Sequence, residues 1–206
     1  MRALPAGDHG LLVELGSTEE AEALHAELLR RVAAGELPAV QEIVPADRTV
    51  LIDGLAEPGA LAENLASWHI PPLTRGAQRA VEVRVRYDGP DLAEVAERWG
   101  VTPREAAALH AETEFRVAFC GFAPGFGYLS GLPARYHVPR RATPRTKVPA
   151  GSVALAGRYT SVYPRSSPGG WQLIGTTDAT LWDAARTPAA LFSPGTRVRF
   201  VPEDRA

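Results

Sequence analysis

Phe115-Arg116-Val117-Ala118-Phe119-Cys120-Gly121-Phe122-Ala123-Pro124-Gly125-Phe126-Gly127-Tyr128-Leu129 is the stretch on which the fold turns. Its first six residues are apolar and aromatic enough to read as a strand, which then breaks into a loop punctuated by glycine and proline. The same pattern recurs at residues 152–155, 160–163, 171–175 and 198–201, each short apolar run bounded by Gly or Pro. Several short strands joined by turns predict a closed or nearly closed β-barrel.

Upstream, Val81-Glu82-Val83-Arg84-Val85-Arg86-Tyr87 alternates strictly, so its valines face one side of a half-buried strand. Two helices follow. Asp91 with Glu94 caps one that stops at Gly100, and Thr102-Pro103-Arg104-Glu105 starts a second, with N-cap, proline and reciprocal glutamate in place. That second helix carries His110 near its end. Nearer the N-terminus the order is strand, helix, two strands, helix. Residues 11–15 read as a short buried strand. Ser17 and Glu20 then open a helix with Ala21, Leu24, Leu28 and Val32 on one face, and Gly35 ends it. Strands over 40–44 and 49–52 flank Pro45-Ala46-Asp47, and Leu61, Leu65 and Trp68 mark another helix. With a first strand over 2–4, this predicts a small α+β domain over residues 1–72, ending at Pro71-Pro72, and a mainly β domain over 73–206.

Composition narrows the function. The net charge is -2, from interspersed acids and bases rather than blocks, which argues against a protein that coats nucleic acid and leaves room for a small-anion site. Cys120 is the only cysteine, so no intrachain disulfide is expected and nothing points to an oxidising compartment. The N-terminal Met1-Arg2-Ala3-Leu4-Pro5-Ala6-Gly7-Asp8 has no unbroken apolar run, and no segment approaches the ~20 apolar residues of a membrane span. A cytoplasmic protein with neither membrane nor nucleic acid as partner is the expectation. The chain holds 19 Gly and 18 Pro, many of them between Gly121 and Gly170, so that region is expected to be ordered loop, where function concentrates.

The segment from Phe119 to Leu129 resembles the GF-x-PGF-x-YL signature of the 5-oxoprolinase B-subunit (PxpB) family, also called KipI-like or allophanate hydrolase subunit 1-like. Two further segments resemble that family's second and third motifs, in the same order. They are Pro139-Arg140-Arg141-Ala142-Thr143-Pro144-Arg145-Thr146-Lys147-Val148-Pro149-Ala150-Gly151-Ser152-Val153 and Ser167-Pro168-Gly169-Gly170-Trp171-Gln172-Leu173-Ile174-Gly175. Gly89-Pro90-Asp91-Leu92, His110 and Pro194-Gly195-Thr196-Arg197-Val198-Arg199-Phe200 agree at the flanks, so the resemblance covers most of the chain. It implies a small α+β N-terminal domain followed by a mainly β cyclophilin-like barrel. There are departures: the loop at Tyr87-Asp88-Gly89-Pro90 is short for the family, Gly127 stands where proline is frequent, and Lys147 replaces a frequent arginine.

The resemblance also implies an activity. Members similar to this chain serve as the B subunit of an ATP-dependent 5-oxoprolinase, a hydrolase that opens the cyclic amide 5-oxoproline (pyroglutamate) to L-glutamate. The partners implied are a C-subunit-like (KipA-like) protein and an A-subunit-like (LamB/YcsF) protein, with ATP and Mg in the assembled complex and no activity from the chain alone. Two other roles attach to the family: inhibition of sensor histidine kinase autophosphorylation, and a part in allophanate or urea processing.

Opening a lactam is hard because the amide is resonance-stabilised, and phosphorylating its oxygen would create a better electrophile. That chemistry needs cations around phosphates, donors for the substrate carboxylate and a base for the ring nitrogen proton. Arg140, Arg141, Arg145 and Lys147 concentrate positive charge in one proline-stiffened loop. They serve either as anion ligands, with Arg145 and Lys147 preferred for lying beside Val148-Pro149-Ala150-Gly151, or as a solvated docking surface. His110 either moves a proton or is a helix-end histidine bonded to a carbonyl. Gly121, Gly125 and Gly127 permit close backbone approach to a ligand, although no Gly-Lys-Ser/Thr follows and the loop is not a P-loop. Phe122, Pro124 and Phe126 sit in that loop, and its aromatics with Tyr128 either line a pocket or fill the core. Gln172 either binds a substrate amide or pairs with sheet backbone. Cys120 ends an apolar strand without a local His or Asp and reads as inert, and His9, His25, His69 and His137 lack paired ligand spacing, so no metal site is expected. The two glycine-proline loops are expected to bring the basic cluster towards His110 and Gln172.

Overall fold

The computed structural model describes residues 1–37, 40–72 and 80–203. The chain divides into two compact units, Met1–Ala77 and Gln78–Ala206. The domain boundary expected after Pro72 falls against residues 73–79, which lie outside the described residues.

The first unit contains β1 (Arg2–Pro5), β2 (Leu11–Glu14), α1 (Thr18–Ala33), β3 (Glu42–Pro45), β4 (Thr49–Asp53) and α2 (Pro58–Leu65). Its strands form an antiparallel sheet in the order β1-β2-β4-β3. Leu11 and Val13 of β2 and Val50 and Ile52 of β4 point to one face, where they pack with Leu24 and Leu28 of α1 and Leu61 and Leu65 of α2. Ser17 caps α1 by accepting from the Glu20 N–H, while the Glu20 carboxylate reaches past the cap to the Gly16 N–H at 2.9 Å. Val32, expected on the buried face, is 37% exposed. The reason is length: at 16 residues α1 runs about 24 Å, nearly twice the span of the short strands beneath it, so its last turn overhangs the sheet. β3 starts two residues later than expected. Trp68 lies beyond the end of α2, with the Arg31 guanidinium 3.8 Å above its ring.

The second unit contains β5 (Ala80–Val85), α3 (Leu92–Trp99), α4 (Pro103–Glu112), β6 (Phe115–Cys120), β7 (Gly127–Ser130), β8 (Arg145–Val148), β9 (Ser152–Ala156), β10 (Tyr159–Val162), β11 (Ser167–Gly169), β12 (Gln172–Thr176) and β13 (Arg197–Pro202). Seven of these strands share one sheet in the order β12-β9-β10-β7-β6-β13-β5, in which only the β13/β5 pair is parallel. The two ends of that order meet: Arg86, just after β5, and Thr176, the last residue of β12, exchange backbone hydrogen bonds of 2.9 and 2.8 Å. The sheet thereby becomes a barrel with no open edge at that seam. The Arg86 guanidinium reinforces the seam through Asp178 and Glu203. An α+β unit followed by a mainly β barrel is the fold expected from the sequence.

Val83, Val85, Phe115, Val117, Leu129, Val153, Leu155, Ile174 and Phe200 fill the barrel. β9 is buried at all of its residues, which a strand with one solvated face would not be. Val153 and Leu155 join the interior, whereas Ala154 and Ala156 belong to a second cluster with Phe126, Val148, Tyr163, Trp171 and Leu173. That second cluster is covered by a two-stranded ribbon of β8 and β11. Neither ribbon strand, nor β7, is marked as a strand by the sequence pattern; all three are short, and the two ribbon strands are rich in Gly, Pro or charge. Thr102 makes the complete reciprocal capping box with Glu105 at the start of α4, and Gly100 ends α3 at φ 70°. Asp91 stands at the N-cap position of α3, yet its side chain makes no capping bond.

Candidate ligand site

Asp91 has been diverted from its helix to β12. The turn before it lies directly on that strand, because a Cβ on Gly89 would overlap backbone atoms of Leu173, Ile174 and Gly175. The Asp91 N–H donates to Leu173 O at 2.9 Å, and the Leu173 N–H donates in return to Asp91 Oδ2 at 2.6 Å. The other oxygen, Oδ1, accepts from Arg141 Nη1 at 2.8 Å and from Arg145 Nη2 at 2.7 Å. The carboxylate is buried, at 3% residue exposure, and two guanidinium groups share it. The trio therefore keeps one net positive charge, anchored on a buried carboxylate and carried by half-buried guanidinium groups.

The β8/β11 ribbon aims the two arginines. Arg145 sits opposite Gly169 in the ribbon, and the Arg141 N–H donates to Gly170 O at 2.7 Å. Gly169 is required there, since a Cβ would collide with the Tyr163 hydroxyl. Arg140 adds charge nearby: burial pushes the Tyr128 and Tyr163 phenols up, and the positive field of Arg140 partly offsets that shift at both. Sequence position favours Arg145 with Lys147. The structure instead pairs Arg145 with Arg141 and leaves Lys147 exposed on β8.

The first motif forms the wall beside this charge. Gly121, Phe122 and Pro124 are exposed, whereas Gly125 and Phe126 are buried. Phe126 packs edge-on against Tyr128, Tyr163 and Trp171 and belongs to the second core. Phe122 differs: it is 58% exposed and held at φ 66°, a left-handed conformation that costs a bulky L-residue about 1–2 kcal/mol. Its ring lies 5.1 Å from that of Phe126 and 6.2 Å from that of Tyr163.

Gln172 is 2% exposed and its Nε2 donates to Pro139 O at 3.3 Å, which fixes the orientation of the amide. Its Oε1 is buried without a hydrogen-bond partner, as are Arg141 Nε, Arg145 Nη1 and Ser167 Oγ. Gln172 thus does join the basic loop. His110 does not: its ring is fully buried against Phe115 and Phe200, and both nitrogens are engaged elsewhere. Thr160 Oγ1 donates to Ala154 O, so it accepts from His110 Nε2 at 3.0 Å, which leaves Nδ1 to accept from the Tyr87 hydroxyl at 2.8 Å. Burial holds the His110 pKa down at about 3, so the imidazole is neutral across the ordinary pH range. The expectation that the basic cluster closes on His110 is corrected accordingly.

Burial likewise pushes the Cys120 thiol up to about 11, and its Sγ donates to Phe192 O, as suits an inert cysteine. Among the described residues no group of three or more His, Cys, Asp or Glu is placed to hold a metal ion. A hollow of about 360 Å³ between α4 and β13 is lined by Glu82, Glu112, Arg199 and Phe200 among others and contains no residue of the three motifs. Asp91 is the residue of this charged cluster that sequence reading misses. Its partners lie 50 and 54 positions away, and at the start of a helix an aspartate reads first as a cap.

The model of the carboxyltransferase domain, subdomain C and D, matches residues 1–192. The 5-oxoprolinase B subunit of Escherichia coli O157:H7 is 43% identical over 176 residues, covering 82% of this chain and 80% of that protein. The chain belongs to the 5-oxoprolinase B-subunit family. Among solved structures, TTHA0988 superposes with a TM-score of 0.78 at 35% identity, over 96% of this chain and 40% of that one. The chain thus spans less than half of that larger protein. The Kluyveromyces lactis urea carboxylase shares the fold at a TM-score of 0.73 and 20% identity, over 98% of this chain and 22% of that one. In this member of the family, residues from all three motifs lie around Asp91 and the second core. No described helix is long and apolar enough to cross a membrane.

Proposed function

We propose that the chain works as the B subunit of an ATP-dependent 5-oxoprolinase, opening 5-oxoproline to L-glutamate together with A-subunit-like and C-subunit-like proteins. The observation that carries this reading is the 43% identity to a 5-oxoprolinase B subunit across most of both chains. The arginine pair held on buried Asp91 supports it chemically, because the substrate is a carboxylate. In this reading the chain supplies fixed cations and an aromatic wall. A low-polarity wall strengthens each of those charges, and donors already oriented need no reorganisation when negative charge develops on the substrate. Asp91 is occupied by two arginines, so magnesium carried by ATP would be held by phosphate oxygens and partner residues. The proton on the ring nitrogen is left to a group outside the His110 enclosure.

The test is reconstitution. The chain is purified alone and with the A-like and C-like proteins of the same genome, and glutamate release is followed with and without ATP. No turnover is expected from the chain alone, ATP-dependent turnover from the full set, and loss of most of it in Arg145→Ala. Full-rate turnover by the isolated chain, or no glutamate from the reconstituted set, would falsify the assignment.

A further inference from the structure

Buried polar groups in folded proteins are almost always paired, and each exception asks for a cause. Here three exceptions fall on residues tied into one hydrogen-bonded network around Asp91 and the basic loop. Arg141 and Arg145 donate to the same oxygen of Asp91, so their guanidinium groups are neighbours, and each keeps a buried nitrogen, Nε of Arg141 and Nη1 of Arg145, with no acceptor. Gln172 is joined to the same loop through Pro139 and adjoins Leu173, whose N–H is held by Asp91. Its amide is locked so that Oε1, an acceptor, is the atom left over.

A fully deprotonated oxyanion alone would satisfy the two guanidinium nitrogens and would be repelled by Gln172 Oε1. A ligand that satisfies all three presents two anionic oxygens and, beside them, an N–H. We infer that Arg141, Arg145 and Gln172, positioned by Asp91, form a subsite for an α-amido carboxylate, in which the arginines bind the carboxylate and Gln172 Oε1 accepts the hydrogen bond of the adjacent amide N–H. 5-Oxoproline has this arrangement, with its ring nitrogen on the carbon that bears the carboxylate. The assignment rests on the proposed function for the choice of that substrate, and it deepens that reading by placing recognition of the lactam on this chain. A nucleotide phosphate offers no N–H next to its oxygens, so the same subsite discriminates against it.

The experiment uses the full chain, ¹⁵N-labelled, titrated with four probes: L-5-oxoproline, its ring-oxygen analogue (the corresponding lactone carboxylic acid), 2-pyrrolidinone and inorganic phosphate. 5-Oxoproline is expected to move the side-chain N–H resonances of Arg141, Arg145 and Gln172. The lactone, which leaves Gln172 Oε1 unpaired, is expected to bind about tenfold or more weakly, and 2-pyrrolidinone, lacking the carboxylate, not detectably. Gln172→Met should remove the preference for lactam over lactone while a melting curve confirms that the variant is folded. Equal binding of lactam and lactone by the unmodified chain overturns the inference without any variant. So does the absence of shifts at these side chains, or phosphate reproducing the shifts caused by 5-oxoproline. The outcome separates from the functional assignment: glutamate release by the reconstituted set with no such shifts sinks the subsite alone, whereas lactam binding here with no glutamate release sinks the assignment alone.

Discussion

Replacing Asp91 with alanine should damage the second unit far more than any capping role would. A lost N-cap costs about 0.5–2 kcal/mol. The substitution instead removes one anion from two cations and one acceptor from a buried strand N–H. Breaking a buried ion pair from one side costs about 3–5 kcal/mol. The Arg141 and Arg145 side chains are 32% and 24% exposed and can recover some hydration, which brings this cost to the lower end, about 3 kcal/mol. Leaving the Leu173 N–H without an acceptor adds about 1 kcal/mol. The expected loss is therefore about 4 kcal/mol. Urea unfolding measures it in a Trp68→Phe background, followed through Trp99, Trp171 and Trp182, all in the second unit, so that separate melting of the first unit does not blur the result. The triple variant Asp91→Leu, Arg141→Met, Arg145→Met removes the whole charge set and should recover at least half of the loss, because no charge is then left uncompensated. A loss below about 1 kcal/mol in the single variant, or a triple variant no better than the single, would show that the carboxylate does not hold the arginines.

Two further outcomes follow from single residues. His110 stays neutral in the folded chain down to about pH 3, whereas in the unfolded chain it takes up a proton near its ordinary value of 6.5. The unfolded state therefore gains protons first, and stability contributed by this group falls as pH drops below 6.5, by at most about 1.4 kcal/mol per pH unit. His110→Gln, which keeps hydrogen-bonding atoms near Tyr87 and Thr160, should flatten that slope between about pH 6.5 and 4.5 in the second-unit fluorescence; an unchanged slope would contradict a buried neutral ring. At Phe122, glycine relieves the left-handed strain and removes only an exposed ring. Phe122→Gly should leave the unfolding free energy unchanged or raise it by about 1 kcal/mol, and a urea midpoint shifted down by more than that amount would mean the ring is a packing residue.

Local pattern carried much of the fold. Alternating valines from Val81, the boxed start at Thr102 and the left-handed glycine at Gly100 each express a preference of a few adjacent residues, and the structure keeps all three. Patterning misjudged Val32, whose exposure depends on how far the sheet extends beneath α1, a property of other segments. It also gave no sign of the β8/β11 ribbon, because those residues pair only once a second core exists for them to cover.

The candidate site divides in the same way. From the order of its residues alone the chain declared a barrel after an α+β unit, three motifs, a basic loop, and Gln172 as an amide worth watching, since composition and short-range spacing suffice for these. Tertiary structure decided what those residues do together. It took Asp91 from its helix and set it between Arg141 and Arg145, which stand 50 and 54 positions away, and it closed His110 into the core with Tyr87 and Thr160. The physical reason is that a side chain's hydrogen-bonding groups go to whichever partners the packed chain brings within about 3 Å and shields from water, and over such separations only closure of the barrel determines which partners those are.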